Sequence, residues 1–100
     1  MDVDLRYAFS GLSKIKYMDL KGLGNIHRES IDGIFMGCKS LKELDLSGLD
    51  FSDCAFSDCV FDGCKSLKTI YLYGCNEGTI DAIENLLEQA DLKQKIEIIH

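Results

Sequence analysis

The stretch FMGCKSLKELDL, residues 35–46, decides the fold because it returns as FDGCKSLKTIYL in residues 61–72. Phe61 stands in the place of Phe35, and a looser third copy, FSGLSKIKYMDL, begins one equal step upstream at Phe9. Internal repetition with a period of about 20 to 50 residues is typical of solenoid and array proteins. We therefore expect one structural unit to be stacked several times along the chain.

Each copy contains aliphatic residues at the same spacing, which reads L-x-x-L-x-L-x-x-L in residues 41–49. Residues 15–23 read I-x-x-M-x-L-x-x-L, and residues 67–75 read L-x-x-I-x-L-x-x-C. This is the leucine-rich-repeat consensus, in which the central x-L-x-L is a short strand whose alternate residues point to opposite faces. The pairs expected to point into the core are Met18 and Leu20, Leu44 and Leu46, and Ile70 and Leu72.

If the period holds to the end of the chain, Ile96 and Ile98 continue the inward pairs and predict a fourth strand. Between the strands, apolar residues at steps of three and four predict short helical segments. In the last of them Thr79 is the expected N-cap and Asp81 lies in the first turn. The three segments are HRESIDGIF (27–35), DCAFSDCVF (53–61) and TIDAIENLLEQA (79–90).

Glycine also recurs at fixed places, in two columns. The first column follows each strand, and the second closes the apolar segment before each strand. Such recurrence predicts a backbone with positive φ or a close approach, and a helix end is the expected setting of the second column. The first column is Gly22, Gly48 and Gly74, and the second is Gly11, Gly37 and Gly63.

These patterns predict an α/β fold, a leucine-rich-repeat solenoid of about 3.5 to 4 repeats of about 26 residues, with short parallel strands on one face and short helices on the other. Residues 1–100 form a single domain in this interpretation. Both end strands would have open edges, which can support end-to-end self-association. The expected division is a partial repeat 1–8, repeats 9–34, 35–60 and 61–86, and a terminal half repeat 87–100.

The chain carries 17 acidic and 11 basic side chains, for a net charge of -6. Nucleic-acid affinity comes mainly from clustered Lys and Arg, so nucleic acid is not an expected partner. No apolar run approaches the roughly 18 to 20 residues that span a bilayer, which argues against membrane insertion. The start MDVDLRYAF shows no export signal. This fits a cytoplasmic protein if Met1 is the native start, and equally a piece of an exported protein.

The units CKSLKELDLSGLDFSDCAFSDCVFDGC (38–64) and CKSLKTIYLYGC (64–75) resemble the BspA-like leucine-rich repeats of bacterial surface proteins. That family's unit runs roughly C-x-S-L-x-x-L-D-L-S-x-F-D-T-S-N-V-T-D-M-S-x-M-F-x-G, and it aligns without gaps. The resemblance covers residues 9–75 well. Phe56 and Ser57 depart from it, since the pattern has Asp and Met there, and they indicate an altered register of the middle helix. Matching residues include Cys38, Ser40, Leu41, Leu44, Asp45, Leu46, Ser47, Asp50, Ser52, Phe61 and Gly63.

The resemblance implies a non-enzymatic recognition module at the cell surface or secreted, adhering to a protein or glycan. No catalytic, cofactor-binding or metal-binding residue comes with it. Two alternatives stay open from the residues alone. The same strand face could serve a cytoplasmic protein scaffold or adaptor, or the segment could be a structural spacer of a longer solenoid.

The outward residues of the strands are the expected partner contacts, because repetition arranges them in columns about 4.8 Å apart. Tyr71 and Tyr73 stand out, since exposed aromatic side chains are enriched in binding hot spots. The alternative is that these two rings only cover the neighbouring strand. The expected columns are Tyr17, Glu43, Thr69 and Lys95; Asp19, Asp45, Tyr71 and Glu97; and Lys21, Ser47 and Tyr73.

Five cysteines invite a chemical interpretation. Cys38, Cys64 and Cys75 fall on repeat positions and are best explained as small, buried hydrophobic residues with unpaired thiols. Cys54 and Cys59, five positions apart, do not share a helical face. With no C-x-x-C pair and only His27 and His100 as nitrogen ligands, a zinc site is not expected.

An enzyme would need a nucleophile with a base, and Cys54 or Cys59 with His27 is the available pair, without an oxyanion motif. No catalytic activity is expected. The acidic residues of the middle segment could gather calcium, but they lack the glycine-centred loop and closing Glu of an EF-hand. A solvated face, with Asp53 as an N-cap, explains them more simply. These residues are Asp50, Asp53, Asp58 and Asp62.

Overall fold

The computed structural model describes residues 5–23, 26, 30–54 and 59–100. Within these ranges the chain is a small α/β domain with a four-stranded parallel sheet and one α-helix. No helix in the described part is long and apolar enough to cross a membrane. The strands lie side by side in chain order: β1 (Tyr17–Asp19), β2 (Glu43–Asp45), β3 (Thr69–Tyr71) and β4 (Glu97–Ile99). Helix α1 (Glu77–Gln89) connects β3 to β4, and short 3-10 helices occupy Lys21–Leu23 and Lys93–Lys95.

The first three strands pair in the register that the repeat predicts. Tyr17 lies beside Glu43, and Glu43 lies beside Thr69, so each step across the sheet equals one period of the sequence. Equivalent hydrogen bonds continue past the strands, from the Leu20 amide to Asp45 O at 2.9 Å and from the Leu46 amide to Tyr71 O at 2.9 Å. The same backbone hydrogen bond therefore recurs at each step and helps to hold these strands in one register.

The inward side chains of these strands are buried, as predicted. A second layer of the core comes from the segments opposite the sheet, where three phenylalanine rings stack. The Phe9 and Phe35 ring centroids are 6.3 Å apart, and those of Phe35 and Phe61 are 5.6 Å apart. The inward residues are Met18, Leu20, Leu44, Leu46, Ile70 and Leu72.

The first two predicted helical segments are wrong in their described parts. Residues 32–37 and 59–63 form turns; 27–29 and 55–58, with the predicted register change at Phe56 and Ser57, lie outside the described residues. Here the backbone amides bond to the next repeat, as from Phe35 to Val60 O at 3.3 Å. Packed helices need about 8–10 Å between axes. Units spaced like strands, about 4.8 Å apart, leave room only for turns.

Glycine is required where these turns stack on one another. Gly37 and Gly63 have φ of 78° and 80°, and a Cβ added to Gly63 would lie 3.3 Å from the backbone of Gly37. Positive φ is confirmed for all three glycines of this column, since Gly11 has φ of 74°, and the tight approach occurs at Gly63. Its setting is a turn and not a helix end. In the other column Gly22 departs from the pattern, because it lies in a 3-10 helix without positive φ.

Helix α1 begins earlier than predicted. Asn76 is the N-cap, since its side-chain oxygen accepts the Thr79 amide at 2.7 Å, and the acidic residue of the first turn is Glu77 instead of Asp81. Thr79 is fully buried, and its Oγ1 accepts the Phe51 amide at 2.9 Å. A side chain predicted to cap its own helix thus ties that helix to the preceding repeat.

The register of β4 corrects the predicted end of the array. Thr69 pairs with Glu97 and not with Lys95, and Tyr71 pairs with Ile99 and not with Glu97. The last step is therefore longer than the earlier ones by two positions. Ile98 lies beside Ile70, in the place expected for Ile96. The 13-residue helix α1 and the 3-10 helix after it replace the turns of the earlier connections and lengthen the path.

Candidate functional site

Three tyrosines project from the open face of the sheet, and we call Tyr17, Tyr71 and Tyr73 the tyrosine face. Tyr17 and Tyr73 are 52% and 55% exposed, whereas Tyr71 is half-buried. The rings of Tyr71 and Tyr73 stack, with centroids 6.2 Å apart and planes 24° apart. Two of the three rings therefore leave a large apolar area open to solvent.

Tyr71 is held in place from the neighbouring strand. Its hydroxyl donates a hydrogen bond of 2.8 Å to Glu43 Oε1. This bond, together with burial and the negative charge of Glu43, raises the pKa of Tyr71, because the phenolate would lose the bond and face a carboxylate. Tyr71 thus bonds to the neighbouring strand, and Tyr73 stacks on Tyr71 and stays exposed, so contact of these rings with a partner stays a prediction. Thr69 and Glu43 are half-buried.

Asp19, Lys21 and Asp45 form a bridge at the carboxyl end of β1 and β2. Lys21 Nζ lies 3.3 Å from Asp45 Oδ2 and 3.5 Å from Asp19 Oδ2, and these carboxylates raise the pKa of Lys21. Asp45 is only 9% exposed. Burial acts to raise its pKa, but hydrogen bonds from Ser47 and Lys21 outweigh burial and hold the pKa below its usual value. Asp19 is thus the outward carboxylate of this pair.

Tyr73 is positioned by its backbone as well as by its ring. Its amide donates to Ser47 Oγ at 3.0 Å, and its carbonyl accepts the Gly48 amide at 2.9 Å. Both partners belong to the preceding repeat. The ring therefore extends from a backbone that is tied to the sheet on one side.

The buried cysteines serve the packing of neighbouring repeats. The thiols of Cys38 and Cys64 donate to the carbonyls of Phe9 and Phe35, at 3.0 and 3.1 Å. Burial raises the pKa of both thiols, to about 12 for Cys64, so neither is a thiolate at neutral pH. Cys75 is half-buried and its pKa is also raised by burial. Cys38 and Cys64 thus match the prediction of small buried hydrophobic residues, and Cys75 only in part.

The other candidate chemistry is not assembled by the described residues. Cys54 is buried and donates to Ile26 O at 3.2 Å, and Cys59 is half-buried. The predicted partner His27 lies outside the described residues, as do residues 55–58 of the segment that Asp53 was expected to cap. In the ranges 5–23, 26, 30–54 and 59–100 no three His, Cys, Asp or Glu side chains gather into a metal-binding group.

Asp50 has a structural role. Its Oδ1 accepts the amide and the hydroxyl of Ser52, and Thr79 Oγ1 lies 3.4 Å away. The Ser52 hydroxyl and amide, with a further bond from Asn76, lower the pKa of Asp50 to about 2. Its carboxylate is therefore occupied at the junction between the second repeat and α1.

The N-terminal end of the sheet leaves repeat positions uncovered. Ile15 is 39% exposed, although Leu41, which occupies the same position one repeat later, is fully buried. Leu12 and Tyr7 are also exposed near this end. The prediction of end-to-end self-association concerns this edge and stays a prediction.

Sequence reasoning missed a group of lysines at the amino end of the strands. Its signal was present in the repeated motif CKSLK, residues 38–42 and 64–68, which places two lysines in each copy at the approach to a strand. These lysines, Lys39, Lys42, Lys65 and Lys68, lie outside the predicted outward columns of the strands. Because parallel strands bring their amino ends to one edge, such lysines converge.

Comparison with known proteins adds no relative. A scan against protein families, a search of curated proteins and a search of solved structures each found no match.

Proposed function

We propose that the chain is a leucine-rich-repeat solenoid of the BspA-like type and acts as a non-enzymatic recognition module. Its partner is a protein or a glycan, bound by the open face of the sheet. The equal register steps across β1, β2 and β3 and the stacked turns behind them support the repeat interpretation. The resemblance in residues 9–75 supports a place at the cell surface or in secreted material.

The observation that carries this proposal is the stacked pair of Tyr71 and Tyr73 on a hydrogen-bonded sheet, with the Tyr73 ring exposed. A soluble domain buries most of its aromatic area, and exposed rings fixed in position lose little conformational entropy when they bind. Tyr73 stacks on Tyr71, which is itself fixed by Glu43. The pair presents a ring surface already arranged for contact.

The chemistry around the rings fits a partner with both apolar and polar groups. A tyrosine ring packs against the apolar face of a sugar or against an aliphatic side chain, and its hydroxyl bonds to a polar neighbour. Outward Asp19 and half-buried Glu43 and Thr69 add oxygen atoms that accept hydrogen bonds from sugar hydroxyls or peptide amides. The neighbouring parallel strands repeat these groups side by side, which suits an extended partner.

The test is an array of glycans and extracellular-matrix proteins probed with the wild type, the Tyr71→Ala/Tyr73→Ala variant and a Tyr7→Ala control. Tyr7 is 51% exposed but lies outside the tyrosine face. We expect the double variant to lose affinity by about tenfold or more, as hot-spot aromatic residues do. The control should retain the wild-type signal.

Loss of signal in the Tyr7→Ala control to the same degree would contradict the assignment of the site. No signal from any of the three proteins, with folding verified by circular dichroism, would contradict the recognition module and favour a structural spacer.

A further inference from the structure

The amino edge of the sheet gathers four lysines from three separate segments of the chain. Lys42 and Lys68 directly precede β2 and β3, and Lys95 ends the 3-10 helix that leads into β4. Lys65 comes from the turn before β3. With Ser66 and Leu67 they line one open pocket of about 460 Å³. Residues from three connections thus meet in a single concave site.

The charge of these lysines is not neutralised by ion pairs among the described residues. Within that part of the chain, no Asp or Glu forms an ion pair with Lys42, Lys65, Lys68 or Lys95. Elsewhere the chain does pair its lysines, since Lys21 bridges two aspartates and Lys93 lies 3.7 Å from Glu84. The chain as a whole carries a net charge of -6, whereas this cluster is locally positive.

The walls of the pocket determine how it could bind an anion. Leu67, which lines the pocket, is buried, and Ser66 is half-buried and offers a hydroxyl. The amides of Lys42, Lys68 and Lys95 already donate to the carbonyls of Lys16, Lys42 and Leu92, so these three lysines bring their side chains and not their amides to a ligand. Binding would rest on ammonium groups, which act as mobile point charges and suit several oxyanion groups without a fixed geometry.

We propose that this pocket binds a compact polyanion, a small molecule bearing several sulfate or phosphate ester groups. The volume falls within the usual range for small ligands, about 300–1,000 Å³. The negative charge of the rest of the chain disfavours a long polyanion, because segments beyond the pocket would be repelled. The site lies at the amino edge and none of the three tyrosines lines it, so the proposal does not depend on the function proposed for the tyrosine face.

The experiment is calorimetric titration of the whole chain with sucrose octasulfate and, separately, with inositol hexakisphosphate. We expect saturable binding of one ligand per chain that weakens as salt is raised. The Lys42→Gln/Lys68→Gln variant should bind about tenfold more weakly or worse, since each lysine contributes charge-assisted hydrogen bonds. Tighter binding of one probe would identify the ester group that the pocket prefers.

A matched control removes two charges elsewhere, as Lys14→Gln/Lys39→Gln, since both lysines are exposed and neither forms an ion pair among the described residues. This variant should bind within about twofold of the wild type, because neither residue lines the pocket. Equal weakening of both double variants would show diffuse attraction and overturn the proposal, as would the absence of saturable binding in the wild type. The Tyr71→Ala/Tyr73→Ala variant should bind both probes normally, which separates this pocket from the tyrosine face.

Discussion

The connections between β1, β2 and β3 differ from the connection between β3 and β4. The first two advance by one sequence period each and pass through turns that stack on each other, with Phe35 between Phe9 and Phe61. The last is longer by two positions and passes through the 13-residue helix α1. Both kinds of connection lead to a strand that joins the same parallel sheet.

The difference shows what sets the register of each strand. Where stacked turns form the connection, amides bond to the residue before their counterpart in the next repeat, as from Phe35 to Val60 O and from Gly37 to Asp62 O, and these bonds maintain the period. Where a helix fills it, the amides bond within the helix, and the helix length decides where the next strand begins. The two kinds of connection should therefore respond differently to substitution.

The largest effect should come from the ring stack of the turns. Phe35→Ala removes a fully packed ring between two others and should lower the free energy of unfolding by about 3–5 kcal/mol. Phe9→Ala should cost less, because Phe9 is partly buried and stacks on one ring only. Urea unfolding followed by circular dichroism measures both. Equal losses would show that the stack does not hold the turns together.

A smaller effect should appear at the junction between the two kinds of connection. Thr79→Val keeps the shape of the side chain but leaves the buried Phe51 amide without its acceptor, which should cost about 1–3 kcal/mol. Thr79→Ser keeps the hydroxyl and serves as the control. The same urea experiment compares them, and a valine variant as stable as the serine variant would contradict this role.

The smallest effect should be a pH dependence at Asp50. Its pKa in the folded chain, about 2, lies below the ordinary value of 3.8, so the carboxylate stabilises the fold above about pH 4. This contribution should be lost as the pH falls towards 2. Urea midpoints measured between pH 5 and 2 should fall less steeply for Asp50→Asn than for the wild type. Parallel curves would show that this carboxylate does not contribute.

Much of the candidate site was accessible from sequence. The columns that contain Tyr17, Glu43 and Tyr71 follow from the repeat, and the structure places them in that register. The burial of Asp45 was not predictable, because it depends on Lys21 reaching across from the preceding repeat. The lysine pocket was missed for a related reason, since its members converge only when three connections are folded.

The sequence by itself determined where the strands lie, which side chains of β1 to β3 point inward and how those strands align. Alternation within each strand and a constant period between strands leave little choice, because a slip would expose the apolar residues. Tertiary structure decided that the described residues 32–37 and 59–63 form turns where helices were predicted, that β4 shifts by two positions and that Thr79 accepts the Phe51 amide. These outcomes depend on competition for backbone amides and on the space between stacked repeats, and neither can be read from residue spacing alone.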